Sequence, residues 1–229
     1  MQDLEHDNSV DMWNKYYASK RGNSIFEKAV HLARKKYFKG TFAETVIKLS
    51  GKSTSYLETG AGTAQTLDYI CKKTGARCVG VEKTPRAYEI GKNIAKECEI
   101  ILGDALKLPL PNKSVETSYS LGLFEHFSKE EQKKFLSEQA RVTKKTVIIE
   151  VPTRSPHMIT IMWFNRNIRK LKGVWADDEL FTKSYFKNKF PKLKFKYHLS
   201  VSSLFMTCWF VLKPEDIELF LRENHFPRS

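Results

Sequence analysis

The chain has 229 residues, 41% hydrophobic and 12% aromatic side chains, and a formal net charge of +13. That suffices for one α/β domain with its own core, and no stretch reaches the roughly 20 apolar residues of a membrane span. The opening MQDLEHDNSVDMWN holds acids and no apolar run, so no signal peptide and a cytoplasmic location are expected. Cys71, Cys78, Cys98 and Cys208 show neither metal nor redox spacing and read as buried, reduced thiols, with no metal expected. The surplus of Lys and Arg would suit a nucleic-acid partner. Equally, the lysines are spread along the chain, as on a generally basic surface.

Residues 1–50 read as an N-terminal helical segment. Ser24 and Glu27 form a capping box, and Phe26, Ala29, Val30, Ala33 and Tyr37 keep helical spacing behind it. Trp13, Tyr16 and Tyr17 would cover a core edge or act as a lid. From residue 54 short apolar runs alternate with helices. Ser55–Leu57 is a strand leading into a glycine turn, and a helix runs from Thr63 to Lys73, stopped by Gly75. Cys78–Val81 is a second strand, with Thr84 and Pro85 opening the next helix. Ile100–Leu102 and Val115–Ser120 are the third and fourth strands. Ser128 and Glu131 cap a helix to about Val142, and Thr146–Ile149 is the fifth strand. Such alternation means a parallel sheet wound on both faces. Residues 153–190 break the pattern with a Met- and Trp-containing apolar run and then a basic stretch. Lys192, Lys194, Lys196 and His198 alternate with apolar residues as a half-buried strand, Thr207–Lys213 is the last strand, and a helix from Glu215 to Arg222 closes the chain.

Ligands of parallel sheets bind at the carboxyl ends of the strands, and four strand ends carry suitable residues. The first reads Glu58-Thr59-Gly60-Ala61-Gly62-Thr63-Ala64, whose glycines permit a tight turn and a close backbone approach at a helix start. A dinucleotide site would want Gly or Ala where Gln65 stands. It would also be opposed by Glu58, whose carboxylate suits the ammonium of an aminoacyl ligand. Glu82, just over twenty residues on, can accept from two ribose hydroxyls. Asp104, after Gly103, can accept from an adenine amine, and the fourth strand ends in Ser120-Leu121-Gly122-Leu123-Phe124-Glu125-His126.

With these residues, 54–151 resemble the core of a class I S-adenosylmethionine-dependent methyltransferase, of the subgroup whose fourth strand is followed by Glu-His. The resemblance implies a seven-stranded, mostly parallel sheet with an antiparallel last strand. It makes 51–152 the cofactor-binding core, 153–190 an acceptor-side insertion, and 191–229 the strands and helix that complete the same domain. It places Glu58, Thr59, Gly60, Ala61 and Gly62 at the methionine end of S-adenosylmethionine. Glu82 with Lys83 would hold the ribose, Asp104 and Ala105 the adenine, and Ser120 and Leu121 the wall near the sulfonium. His126 and Glu125 are the candidate catalytic residues. Ala64 stands where the family has a third glycine, which would be harmless if φ is not positive there.

The residues also exclude chemistry. No Asn-Pro-Pro-Tyr or Asp-Pro-Pro-Tyr follows the fourth strand, as amine methylation of DNA bases of that type would need. No Cys ends the fourth or fifth strand to attack a pyrimidine, and only Glu125 is at hand where metal-dependent O-methylation needs several carboxylates. The expected activity is methyl transfer to a small or medium-sized acceptor. An RNA methyltransferase and a non-catalytic cofactor-binding scaffold are the alternatives.

Overall fold

The computed structural model describes residues 10, 11, 13, 14, 40–168, 178–201, 203, 205–224 and 226. The sequence-expected helix over 24–38, and Tyr16 and Tyr17, lie outside them. The described strands are β1 (Ser55–Thr59), β2 (Arg77–Glu82), β3 (Glu99–Leu102), β4 (Val115–Leu121), β5 (Thr143–Pro152), β6 (Lys196–Leu199) and β7 (Thr207–Leu212). They form a seven-stranded sheet of order β3-β2-β1-β4-β5-β7-β6. β1 with β2, β2 with β3 and β4 with β5 pair in parallel, and β7 is antiparallel to both β5 and β6. This is the doubly wound, mostly parallel arrangement the alternation predicts, and the chain falls into two compact units, Met1–Leu110 and Pro111–Ser229.

In the first unit, helix α1 covers residues 40–50, α2 is Gln65–Thr74 and α3 is Pro85–Ile94. β1 and β2 are buried along most of their length and β3 only partly, and Tyr56, Leu57, Leu67, Ile70, Val79, Val81 and Ala87 make the core. Gly75 takes a left-handed φ of 65° and closes α2 by donating to the Cys71 carbonyl, as glycine C-caps do. Pro85 opens α3, where its fixed φ suits the first turn. A Cβ on Gly80 would lie 3.0 Å from Ile100 Cδ1 and Leu67 Cδ2 and 3.1 Å from Ala61 Cβ. Gly80→Ala is therefore expected to cost about 1–3 kcal/mol by overpacking. Urea titration checks this, and an unchanged midpoint would contradict so tight a fit.

In the second unit, α4 is Lys129–Val142, α5 is Pro156–Asn167, α6 is Lys183–Lys189 and α7 is Pro214–Glu223. The capping box at Ser128 and Glu131 forms in both directions. An aromatic core fills the unit: Phe186 stacks on Phe210 at 3.9 Å, and Phe124 lies 6.0 Å from both Phe181 and Phe190. Phe181 reaches this core because its backbone bridges to Thr153, donating to the Pro152 carbonyl at 2.9 Å. Residues 178–190, read from sequence as part of an insertion, thus supply Phe181, Phe186 and Phe190 to this core.

Two expectations are corrected. The lysine-bearing strand is only Lys196–Leu199, because Lys192 takes a φ of 70° in a turn and ends any extended run there. Ala64, the buried N-cap of α2, has a φ of 53°. The turn does demand the left-handed conformation that glycine adopts freely and alanine only at a cost of roughly 1–2 kcal/mol.

Candidate active site

In the first unit the site grows from the ends of β1 and β2. Gly60 and Gly62 have φ of 72° and 53°, a conformation that favours glycine. The Gly60 and Ala61 amides both donate to the Val81 carbonyl, at 2.8 and 3.0 Å, which pins the turn to β2. Glu82 then gathers the turn: one carboxylate oxygen accepts from Gly62 N at 2.8 Å, the other from Thr84 N at 2.7 Å. Each oxygen keeps a further lone pair for a hydroxyl. Glu58 is buried and accepts from Leu67 N at 3.2 Å. It thereby satisfies an early amide of α2 in place of its N-cap, Ala64, whose methyl side chain cannot. Thr59 is fully buried behind them.

Asp104 makes an ion pair with Lys83 at 2.8 Å and accepts from Leu106 N at 2.8 Å. It caps its own turn rather than a helix, with Ala105 buried beside it. The first unit thus brings Glu58, Gly60–Gly62 and Glu82 together around one turn and sets the Lys83–Asp104 pair at the next strand ends. Three carboxylates, those of Glu58, Glu82 and Asp104, thus stand at the ends of neighbouring strands beside the glycine turn.

In the second unit Ser120 and Leu121 end β4, and Gly122 (φ 59°) turns the chain into a short 3-10 helix, Phe124–His126. Phe124 points into the aromatic core and leaves Glu125 and His126 to the loop. His126 Nδ1 lies 3.5 Å from Asp178. Burial lowers the imidazole pKa, with the Asp178 charge and a hydrogen bond with the Gly122 backbone opposing. Glu125 is fully buried and one of its oxygens meets no partner, as does the Ser120 hydroxyl. Burial, then the charge of Glu150, pushes the Glu125 carboxyl well above the ordinary range.

Sequence reasoning missed Glu150. This buried acid on β5 is paired with Leu121 across the sheet and accepts from Gly122 N at 2.9 Å. Burial pushes it up to about 7, although hydrogen bonds from Thr207 and Gly122 oppose. Its signal was legible as the lone acid in the run TVIIEVP. Glu179 was missed as well. Burial would raise this carboxyl, but Lys189, Tyr185 and Gln132 outweigh burial and hold it low. Gln132 Nε2 donates to both Glu179 and the Phe124 carbonyl, each at 3.0 Å, tying residues 178–190 to the Glu125-His126 loop.

The chain matches the methyltransferase domain family model over residues 57–149. It is 27% identical over 135 residues to a probable chloroplastic tocopherol O-methyltransferase of Oryza sativa subsp. japonica, covering 56% of this chain and 34% of that one. It is 28% identical over 116 residues to the ajmaline N-methyltransferase of Rauvolfia serpentina, covering 47% and 39%. The matched segment thus spans well under half the length of either relative. The fold is that of the magnesium protoporphyrin IX methyltransferase of Synechocystis, solved with bound S-adenosylhomocysteine. The TM-score is 0.61 at 12% identity, over 92% of this chain and 96% of that one. Among the described residues no helix is long and apolar enough to cross a membrane. Residues 57–149 thus resemble the methyltransferase domain family, and the strand order is that of a solved methyltransferase.

Proposed function

We propose that the protein transfers the methyl group of S-adenosylmethionine to a small or medium-sized, largely apolar acceptor. The observation that carries the cofactor half is the Glu82 carboxylate bridging Gly62 N and Thr84 N, which sets an acceptor for the ribose beside an open glycine turn. Glu58, Thr59, Gly60, Ala61 and Gly62 hold the methionine end, Glu82 and Lys83 the ribose, Asp104 and Ala105 the adenine. Ser120 and Leu121 line the sulfonium side. When bound, the cofactor supplies a methyl group that is already electrophilic. The chain's own task is to align the nucleophile, exclude water and take a proton where one is released. His126 is the group for that proton. Glu125, beside it in the same loop, is the second candidate, and Glu150 positions the loop through Gly122.

The acceptor class rests on two supports. The relatives' names describe methylation of tocopherol and ajmaline. Helix α5 leaves Ile159, Ile161, Trp163 and Phe164 exposed, an apolar surface that suits a greasy ligand. The reduced thiols fit a cytoplasmic setting.

Incubation with methyl-labelled S-adenosylmethionine, apolar phenols and amines, and bulk tRNA in a separate arm tests the reading. Label in a small molecule is expected; label in tRNA with steeply salt-dependent binding would promote the RNA alternative that the net charge of +13 favours. Because burial holds His126 below its ordinary value, transfer should keep its rate from pH 8 down to about 6.5. A rate already halved at pH 7 would remove His126 as the base.

A further inference from the structure

Cys71, Cys78 and Cys98 carry no metal-binding spacing, yet the first unit collects them. Cys71 is in the last turn of α2, Cys78 is the second residue of β2, and Cys98 immediately precedes β3. They therefore sit at the start of the parallel strands, whereas Glu82 and Asp104 belong to the strand ends. Their three sulfur atoms all lie within 4.8 Å of one another. Three sulfurs bound to one ion at about 2.3 Å stand about 4 Å apart, so small side-chain rotations would close the triangle.

Three packed thiols could serve only as small apolar groups, but three features go beyond packing. The sulfurs converge from three separate elements. Cys98 is only partly buried, which gives an ion a way in, while Cys71 and Cys78 are buried. Lys72, one residue along from Cys71 and ion-paired with Asp68 at 2.8 Å, also brings a cation near Cys98.

We propose that Cys71, Cys78 and Cys98 form a trithiolate site for a thiophilic d10 cation, with Cu+ and Zn2+ as the ions this donor set would take. On binding, three S–H protons pass to solvent and three metal–sulfur bonds form, with no change of oxidation state. Among the described residues no fourth His, Cys, Asp or Glu donor joins the group. Three soft donors suit trigonal Cu+, and Zn2+ would take a water on the open side of Cys98. The ion would staple the end of α2 to the starts of β2 and β3, and so stabilise the unit that carries the glycine turn without touching the cofactor.

The test uses the full chain, purified reduced and free of added thiols. Cd2+ serves as a spectroscopic probe, and Zn2+ and Cu+ are each titrated against a chromophoric chelator. One equivalent per chain, a sulfur-to-metal charge-transfer band with Cd2+ and a raised melting temperature are expected, and the chelator arms tell Zn2+ from Cu+. Cys98→Ser should weaken binding on the order of 100-fold or more while leaving S-adenosylhomocysteine binding intact. Cys208→Ser should bind the ion as the wild type does. If Cys98→Ser fails to fold, Cys71→Ser and the stoichiometry of the wild type decide. No ion held by the reduced wild type, or equal affinity in Cys98→Ser, would overturn the proposal.

Discussion

Replacing Glu82 by alanine is expected to weaken S-adenosylhomocysteine binding ten- to hundredfold, about 1–3 kcal/mol, by titration calorimetry. Two losses add. The ribose forfeits its acceptor, and Gly62 N and Thr84 N, held at 2.8 and 2.7 Å by the same carboxylate, lose theirs. The glycine turn then has no internal tie to the start of α3, so the variant should also unfold at lower urea. Glu82→Gln separates the two effects. One amide oxygen can still accept from Gly62 N, so stability should recover more than affinity. Undiminished binding by Glu82→Ala, or tighter binding of NAD than of S-adenosylhomocysteine, would remove the cofactor assignment.

The second large effect concerns Glu150. Its carboxyl is fully buried and pushed up to about 7 from an ordinary 4.5. Between those values the native state holds a proton that the unfolded chain has released. The group's contribution to stability is therefore complete below about pH 4.5 and is lost as pH rises through about 7. The shift corresponds to about 3 kcal/mol as an upper bound. Glu150→Gln keeps an acceptor for Gly122 N without an ionisable group. Its stability relative to wild type should rise by about 1–3 kcal/mol between pH 4.5 and pH 8, measured by urea unfolding at both. A difference that stays level with pH, or falls, would mean that Glu150 is solvated and does not hold the loop as described.

Much of the fold was legible because its signals are local. Strand–helix alternation, Pro85, Gly75 and the Ser128–Glu131 box each act within a few residues, and all sit where the structure has them. The strand ends that carry Glu58, Gly60, Gly62, Glu82 and Asp104 were legible for the same reason, each being marked by a turn within a few residues. What stayed hidden depends on distant pairing. Glu150 gains its role only because β5 sets it beside Leu121. Phe181, Phe186 and Phe190 read as part of an insertion, but their rings complete a core whose other rings belong to β7 and the Phe124 turn. The convergence of three thiols from α2, β2 and the approach to β3 leaves no trace in their spacing. The φ of Ala64 was misjudged because a buried methyl is tolerated in a conformation that sequence alone would reserve for glycine.

The central claim is that the turn at Gly60–Gly62, with Glu82 and Asp104, holds S-adenosylmethionine. A crystal structure of the chain grown with saturating S-adenosylhomocysteine tests it most directly. The methionine end of the ligand is expected against Gly60–Gly62, both ribose hydroxyls on Glu82 and the adenine beside Asp104 and Ala105. Ligand density elsewhere, or a glycine turn left empty under saturation, would contradict it.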